Sequence, residues 1–252
     1  PAIHQAKKHL PLVDVLLEYG ADINARSTFW AGNFGILEWN LTFEEAQPLI
    51  ERGAALTPWA AALFGLVTDL ERMVRQSPEL VRARGGDGKT LLHFASTPAI
   101  AEFLIDAGAD LEALDVDHRA TPLQYLIGDE KLTRCLIARG AKPDIFAAAR
   151  LGDLELIERC LQLEPNHANA RVNTPGFTAP GGHIYGWTLG FDMTPVDVAR
   201  KFGHVDAARY LLDRMSPKAR YLDALWHGDG RRLRDIHAAH PSIKNELDDH
   251  ER

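Results

Sequence analysis

The stretch 193-MTPVDVARKFGHVDAARYLL-212 decides how this chain is read. Thr194 stands where a hydroxyl caps a helix, and Pro195 supplies the first-turn φ while lacking an amide that would be unpaired there. Gly203 then permits a left-handed turn, so the stretch reads as helix, turn, helix.

The same marks recur on both sides of the chain. Thr57-Pro58, Thr90-Leu91 and Thr121-Pro122 open further helical stretches 33 and 31 residues apart, and Gly65 and Gly152 take the place of Gly203. A glycine-alanine pair closes a helix at Gly20-Ala21, Gly53-Ala54, Gly108-Ala109 and Gly140-Ala141, the first two 33 and the last two 32 residues apart. In 132-LTRCLIARGA-141, Leu132, Cys135, Leu136 and Ile137 form the stripe of a helix with one buried face, and 12-LVDVLLEYGA-21 repeats it position for position. A fixed period of this length is the signature of a repeat architecture.

On these motifs, with 88-GKTLLHFAS-96, 101-AEFLIDAGADLEA-113 and 120-ATPLQYL-126, the sequence resembles the ankyrin repeat family. The resemblance implies an all-α, ankyrin-type solenoid of stacked helix-turn-helix repeats with projecting hairpin-like loops. It implies one domain over 1–252 with about eight helical units, the first (1–25) partial and the second (26–56) degenerate. The second lacks the Thr-Pro start, carries Trp30, Phe34 and Trp39 instead, and has Pro48 inside its second helix, where proline shifts or kinks a helix. The family also implies recognition of another protein through loop tips and the concave helical face. His93 and His204 occupy positions where the family ties loops or helices together with histidine.

The largest break in phase is an insertion. The step from Ala113 to Thr121 takes 8 positions and the equivalent step from Ala170 to Thr194 takes 24. The inserted 171-RVNTPGFTAPGGHIYGWTLGFD-192 is too aromatic for a linker. Tyr185, Trp187, Leu189 and Phe191 alternate, which predicts an extended strand gathering large side chains on one face. Burying one such aromatic removes roughly 150–250 Å² from water, on the order of 4–6 kcal/mol at about 25 cal/mol per Å², so the finger packs on adjacent repeats or holds a partner.

Candidate chemistry concentrates at the loop 115-DVDHRA-120, where Asp115 reads as a turn former. The tip residues Asp117, His118 and Arg119, with His183, Tyr185 and Trp187 of the insertion, would together suit a polar, sugar-like small molecule. If the chain is an enzyme, Asp117, His118 and His183 are the candidates for proton transfer. The binding anchors proposed for a protein partner are Trp30, Phe34, Arg119, Tyr185 and Trp187.

Composition narrows the rest. A formal net charge of −7 gives no field for nucleic acid or an anionic membrane, and the late cluster of Arg231, Arg232 and Arg234 reads as a solvated helix face. Neither a membrane-spanning run nor a signal-peptide pattern is present. Cys135 and Cys160 fall at apolar helix positions and read as small core residues, which fits a cytoplasmic setting. The start at Pro1, midway into a repeat, leaves room for a removed leader, and the end at 246-ELDDHER-252 suggests a longer parent array or a self-associating end. No cofactor or metal motif occurs, and His237 and His240 share a helix face without a third ligand. The expected function is a protein-binding module; the alternative is a small-molecule binder or enzyme using a pocket between 171–192 and 115–119.

Overall fold

The computed structural model describes residues 1–28 and 32–247, and every regular element among them is helical. In chain order the α-helices are α1 (Ala2–Ala6), α2 (Leu10–Glu18), α3 (Phe43–Glu51), α4 (Pro58–Leu63), α5 (Val67–Gln76), α6 (Pro98–Asp106), α7 (Pro122–Leu126) and α8 (Glu130–Ala138). They continue with α9 (Ile145–Leu151), α10 (Leu154–Leu163), α11 (Tyr185–Thr188), α12 (Pro195–Lys201), α13 (Val205–Arg214), α14 (Pro217–Trp226) and α15 (Gly230–Ala239). By their contacts the residues group into two compact units: Pro1–Lys142 with Ala179–Thr188, and Pro143–Thr178 with Leu189–Arg252.

Within the first unit, α1 packs on α2, α4 on α5 and α7 on α8. The repeat between them departs from the pattern. Its first helix is a single 3-10 turn, Leu91–Phe94, which packs on α4, α6 and α7. In the second unit the pairs are α9 with α10, α12 with α13 and α14 with α15, and α9 also packs on α12.

The inner helices are the most deeply covered. Ala60, Ala61 and Ala62 of α4 are fully buried, as are Ala147, Ala148 and Ala149 of α9, because a helix flanked on both sides needs small side chains for its neighbours to approach. The outer helices keep one buried stripe, as Leu70 and Val74 do in α5.

The repeat marks act as expected. Thr57, Thr121 and Thr194 each accept a hydrogen bond from the amide three residues on, closing the first turn. All four Gly-Ala pairs form the same helix stop. The glycine is left-handed, with φ of 83, 94, 91 and 103° at Gly20, Gly53, Gly108 and Gly140. Its N–H reaches back three residues, and the alanine N–H reaches back five, from Ala21 to Leu16, Ala54 to Leu49, Ala109 to Leu104 and Ala141 to Leu136. This is the paired closure of the Schellman motif.

The degenerate unit folds without a first helix among its described residues, and Pro48 lies inside a continuous α3 that a Thr42–Glu45 capping box starts. The insertion corrects the strand expectation. Residues 185–188 form one helical turn, so the large side chains divide at helical spacing, with Tyr185 and Leu189 buried and Trp187 and Phe191 exposed.

A methyl group added at Gly108 meets nothing within 4 Å, nor does one at Gly128, but only Gly108 is left-handed. Gly108→Ala is therefore expected to cost about 1–2 kcal/mol through backbone strain alone, with no loss in Gly128→Ala. Equal urea midpoints for the two variants would refute the helix-stop account.

Candidate functional site

The first unit contains a cleft of about 690 Å³ to which its loops contribute in turn. The 115–120 loop forms one wall. Asp115 is buried, and its carboxylate accepts hydrogen bonds from the backbone N–H of Asp117 at 3.1 Å, His118 at 2.9 Å and Ala120 at 2.6 Å, and from the Tyr125 hydroxyl at 2.9 Å. Burial and then the Asp115 charge raise the Tyr125 pKa, so the phenol remains a donor. With its backbone held this way, the loop presents Asp117 and His118 to the cleft. The His118 imidazole hydrogen-bonds the Gly182 carbonyl through Nδ1 at 2.9 Å, holds Nε2 3.4 Å from Asp117, and lies 4.8 Å from the Trp187 ring.

Lys89 forms the next part of the lining. Its ammonium lies 4.9, 4.8 and 5.0 Å from the ring centres of Phe34, Phe94 and Tyr125, and 3.7 Å from the Asp87 carboxylate. Such contacts stabilise a cation removed from water. Burial lowers the Lys89 pKa, and the negative charges of Asp87 and Asp115 oppose that shift. Phe34 reaches this position because Gly86 has no side chain: a Cβ there would stand 2.3 Å from the Phe34 ring.

The degenerate second unit provides the remaining wall. Glu38 is buried and bidentate with Arg26 at 2.8 and 3.1 Å, and it also accepts from the Thr57 hydroxyl at 2.8 Å and the Gly35 N–H at 2.9 Å. This knot fixes the segment carrying Phe34 and Trp39. Lys7 donates to the Trp39 carbonyl and lies 4.9 Å from the Trp39 ring.

Of the residues expected from sequence, the structure brings Phe34, Asp117, His118 and Trp187 to one cleft. His183, Tyr185 and Arg119 do not line it. His183 and Tyr185 are buried, the His183 ring accepting from the Tyr185 N–H at 3.2 Å, so they support the insertion instead of facing a ligand. Arg119 is exposed, sits at φ 50° where the loop turns, and does not line the cleft. Trp30 lies outside the described residues. Sequence reasoning missed Lys7, Asp87 and Lys89; Lys7 meets Trp39 and Lys89 meets Tyr125 across more than 30 positions, and Asp87 enters the site through Lys89.

The second unit holds a cleft of about 610 Å³ in which Arg200 pairs with Asp197 and Asp223. Asp197, Asp223 and His227 bring ligand atoms within 4.8 Å, as a metal site would. Arg200 already lies 2.5 Å and Arg232 3.0 Å from the Asp223 carboxylate, so a cation would have to displace guanidinium groups. Cys160 is buried, which pushes its thiol up to about 11, away from ligand or nucleophile chemistry. Among the described residues no helix is long and apolar enough to cross a membrane.

Comparison with known proteins bears on the fold. Residues 87–116 match the family model of the ankyrin repeat. No curated protein matches the chain. Among solved structures, the crystal structure of the human ASB11 ankyrin repeat domain is similar at 23% identity and a TM-score of 0.40, covering 63% of this chain and 69% of that one.

Beneath the cleft wall, His93 is held neutral. Its Nδ1 accepts from the Thr90 N–H at 3.1 Å, which leaves Nε2–H to donate to the Ala120 carbonyl at 3.1 Å. Burial pushes its pKa down from 6.5 to about 4. The folded state thus resists a proton that the unfolded chain accepts, so this contribution is complete above pH 6.5 and is lost as pH falls towards 4. Between those limits wild type is expected to lose on the order of 3 kcal/mol more than His93→Gln. Parallel pH profiles of urea stability would contradict this.

Proposed function

We propose, for a chain that carries an ankyrin repeat at residues 87–116 with helix pairs packed before and after it, that the cleft of the first unit recognises a segment of a partner protein. The observation that carries this reading is the pair of exposed indoles: Trp39 is 61% and Trp187 57% exposed, and both line the cleft. Large apolar side chains standing in water beside a concavity mark interaction surfaces, and tryptophan is enriched among residues that dominate binding energy. The walls beneath them are fixed by the Asp115 and Glu38 hydrogen-bond networks, so little ordering is required when a partner docks. The unpaired thiols of Cys135 and Cys160 accord with a cytoplasmic setting.

A small polar ligand is the second reading. The cleft volume of about 690 Å³ falls within the usual range for small-molecule sites, and Asp117 and His118 stand 3.4 Å apart beside Trp187. This reading expects a sugar-like molecule to saturate the cleft and displace bound peptide. In its catalytic form, proton transfer rests on Asp117 and His118, without His183.

Selection of a displayed random-peptide library on the protein, followed by affinity measurement against Trp39→Ala and Trp187→Ala, tests the main reading. Each substitution is expected to weaken the selected peptides by about 30-fold, the scale of a binding hot spot, while changing folding stability by less than about 0.5 kcal/mol. Peptides that bind both variants as tightly as wild type would exclude the cleft.

A further inference from the structure

The charged groups of the cleft pair off unevenly. Asp87 lies 3.7 Å from the Lys89 ammonium, and Asp117 lies 3.4 Å from the His118 imidazole. His4 hydrogen-bonds the Ala25 carbonyl at 2.7 Å. Among the described residues Lys7 has no such counterion. It is 8% exposed and lines the cleft, yet among the described residues its ammonium has one hydrogen-bond acceptor, the Trp39 carbonyl. Its neighbour Lys8 takes up the nearby acid, at 3.0 Å from Glu45.

A lysine ammonium carries three donors. One carbonyl and one ring face leave this cation under-satisfied at a depth where charge is costly. A carboxylate entering the cleft would supply the missing acceptors and the counterion together, and a charged pair formed out of water is stronger than one at the surface. The apolar rings of Trp39, Phe34 and Trp187 surround the same space, so the fitting ligand is apolar around a single acid.

We infer that the partner segment is an acidic peptide, one glutamate or aspartate side chain flanked by apolar residues, whose carboxylate is received by Lys7. This rests on the cleft being the recognition site, and it adds what the cleft selects.

The test uses the full chain and three probes: acetyl-Phe-Glu-Phe-amide, its glutamine counterpart, and 3-phenylpropionate. Binding is followed by NMR through the indole N–H signals of Trp39 and Trp187. The glutamate peptide is expected to bind at least about tenfold more tightly than the glutamine peptide, as a charged hydrogen bond allows. Lys7→Met should reduce that preference to within about twofold and Lys7→Arg should retain it; both variants leave a long side chain in place, and their indole spectra report whether the cleft remains folded. The preference should also fade above pH 8, since burial lowers the Lys7 pKa to about 8. The other charged groups around Lys7 are Lys8 and Glu45 beside it, and the Pro1 amino group, His4, Asp87, Lys89, Asp117 and His118 in the cleft.

Equal binding of the glutamate and glutamine peptides, with both indoles responding, would overturn the carboxylate inference and leave the cleft as a peptide site. No response of either indole to millimolar peptide would overturn both. Tighter, Lys7-dependent binding of 3-phenylpropionate than of the glutamate peptide would replace the acidic peptide with a small free acid.

Discussion

The first unit depends on one buried carboxylate. Asp115 gathers three backbone N–H groups and the Tyr125 hydroxyl within 3.1 Å. A buried anion survives in a protein when its lone pairs are filled in this way. Four donors converging on one side chain fix a loop that would otherwise be a set of free torsions. The consequences reach outward from there. Ala120 is held where its carbonyl accepts from His93, which ties the preceding repeat to this one. Asp117 and His118 are presented on the far side, where His118 meets Gly182 and Trp187.

A second buried acid performs the matching task across the cleft. Glu38, bound by Arg26, Thr57 and Gly35, holds with a knot of polar contacts a unit that has no first helix among its described residues. Phe34 and Trp39 of that unit line the cleft. Lys89, ringed by Phe34, Phe94 and Tyr125, joins the two walls through a cation instead of a hydrophobic contact. An irregular repeat and a charged loop thus line the same concavity.

The helix starts and stops were legible because they are local. A threonine hydroxyl reaches an amide three residues away, and Gly20, Gly53, Gly108 and Gly140 need only their own φ to end a helix. The 115–120 loop was legible for the same reason, since Asp115 closes it over five positions. Tyr185 and Trp187 failed as a strand because alternation over four residues also satisfies a helical turn with one buried and one exposed side, which tertiary burial then selects. Lys7, Lys89 and Glu38 were not legible as site residues. A charged side chain is buried only by partners supplied from elsewhere in the chain, and no spacing records that Trp39 will meet Lys7.

Hydrogen–deuterium exchange of the full chain, with and without a peptide selected on it, tests the central claim that this cleft is the recognition site. The account predicts added protection in the backbone of residues 85–90, 115–120 and 181–188, with the second unit unchanged. Protection confined to the second unit, or absent everywhere at saturating peptide, would contradict it.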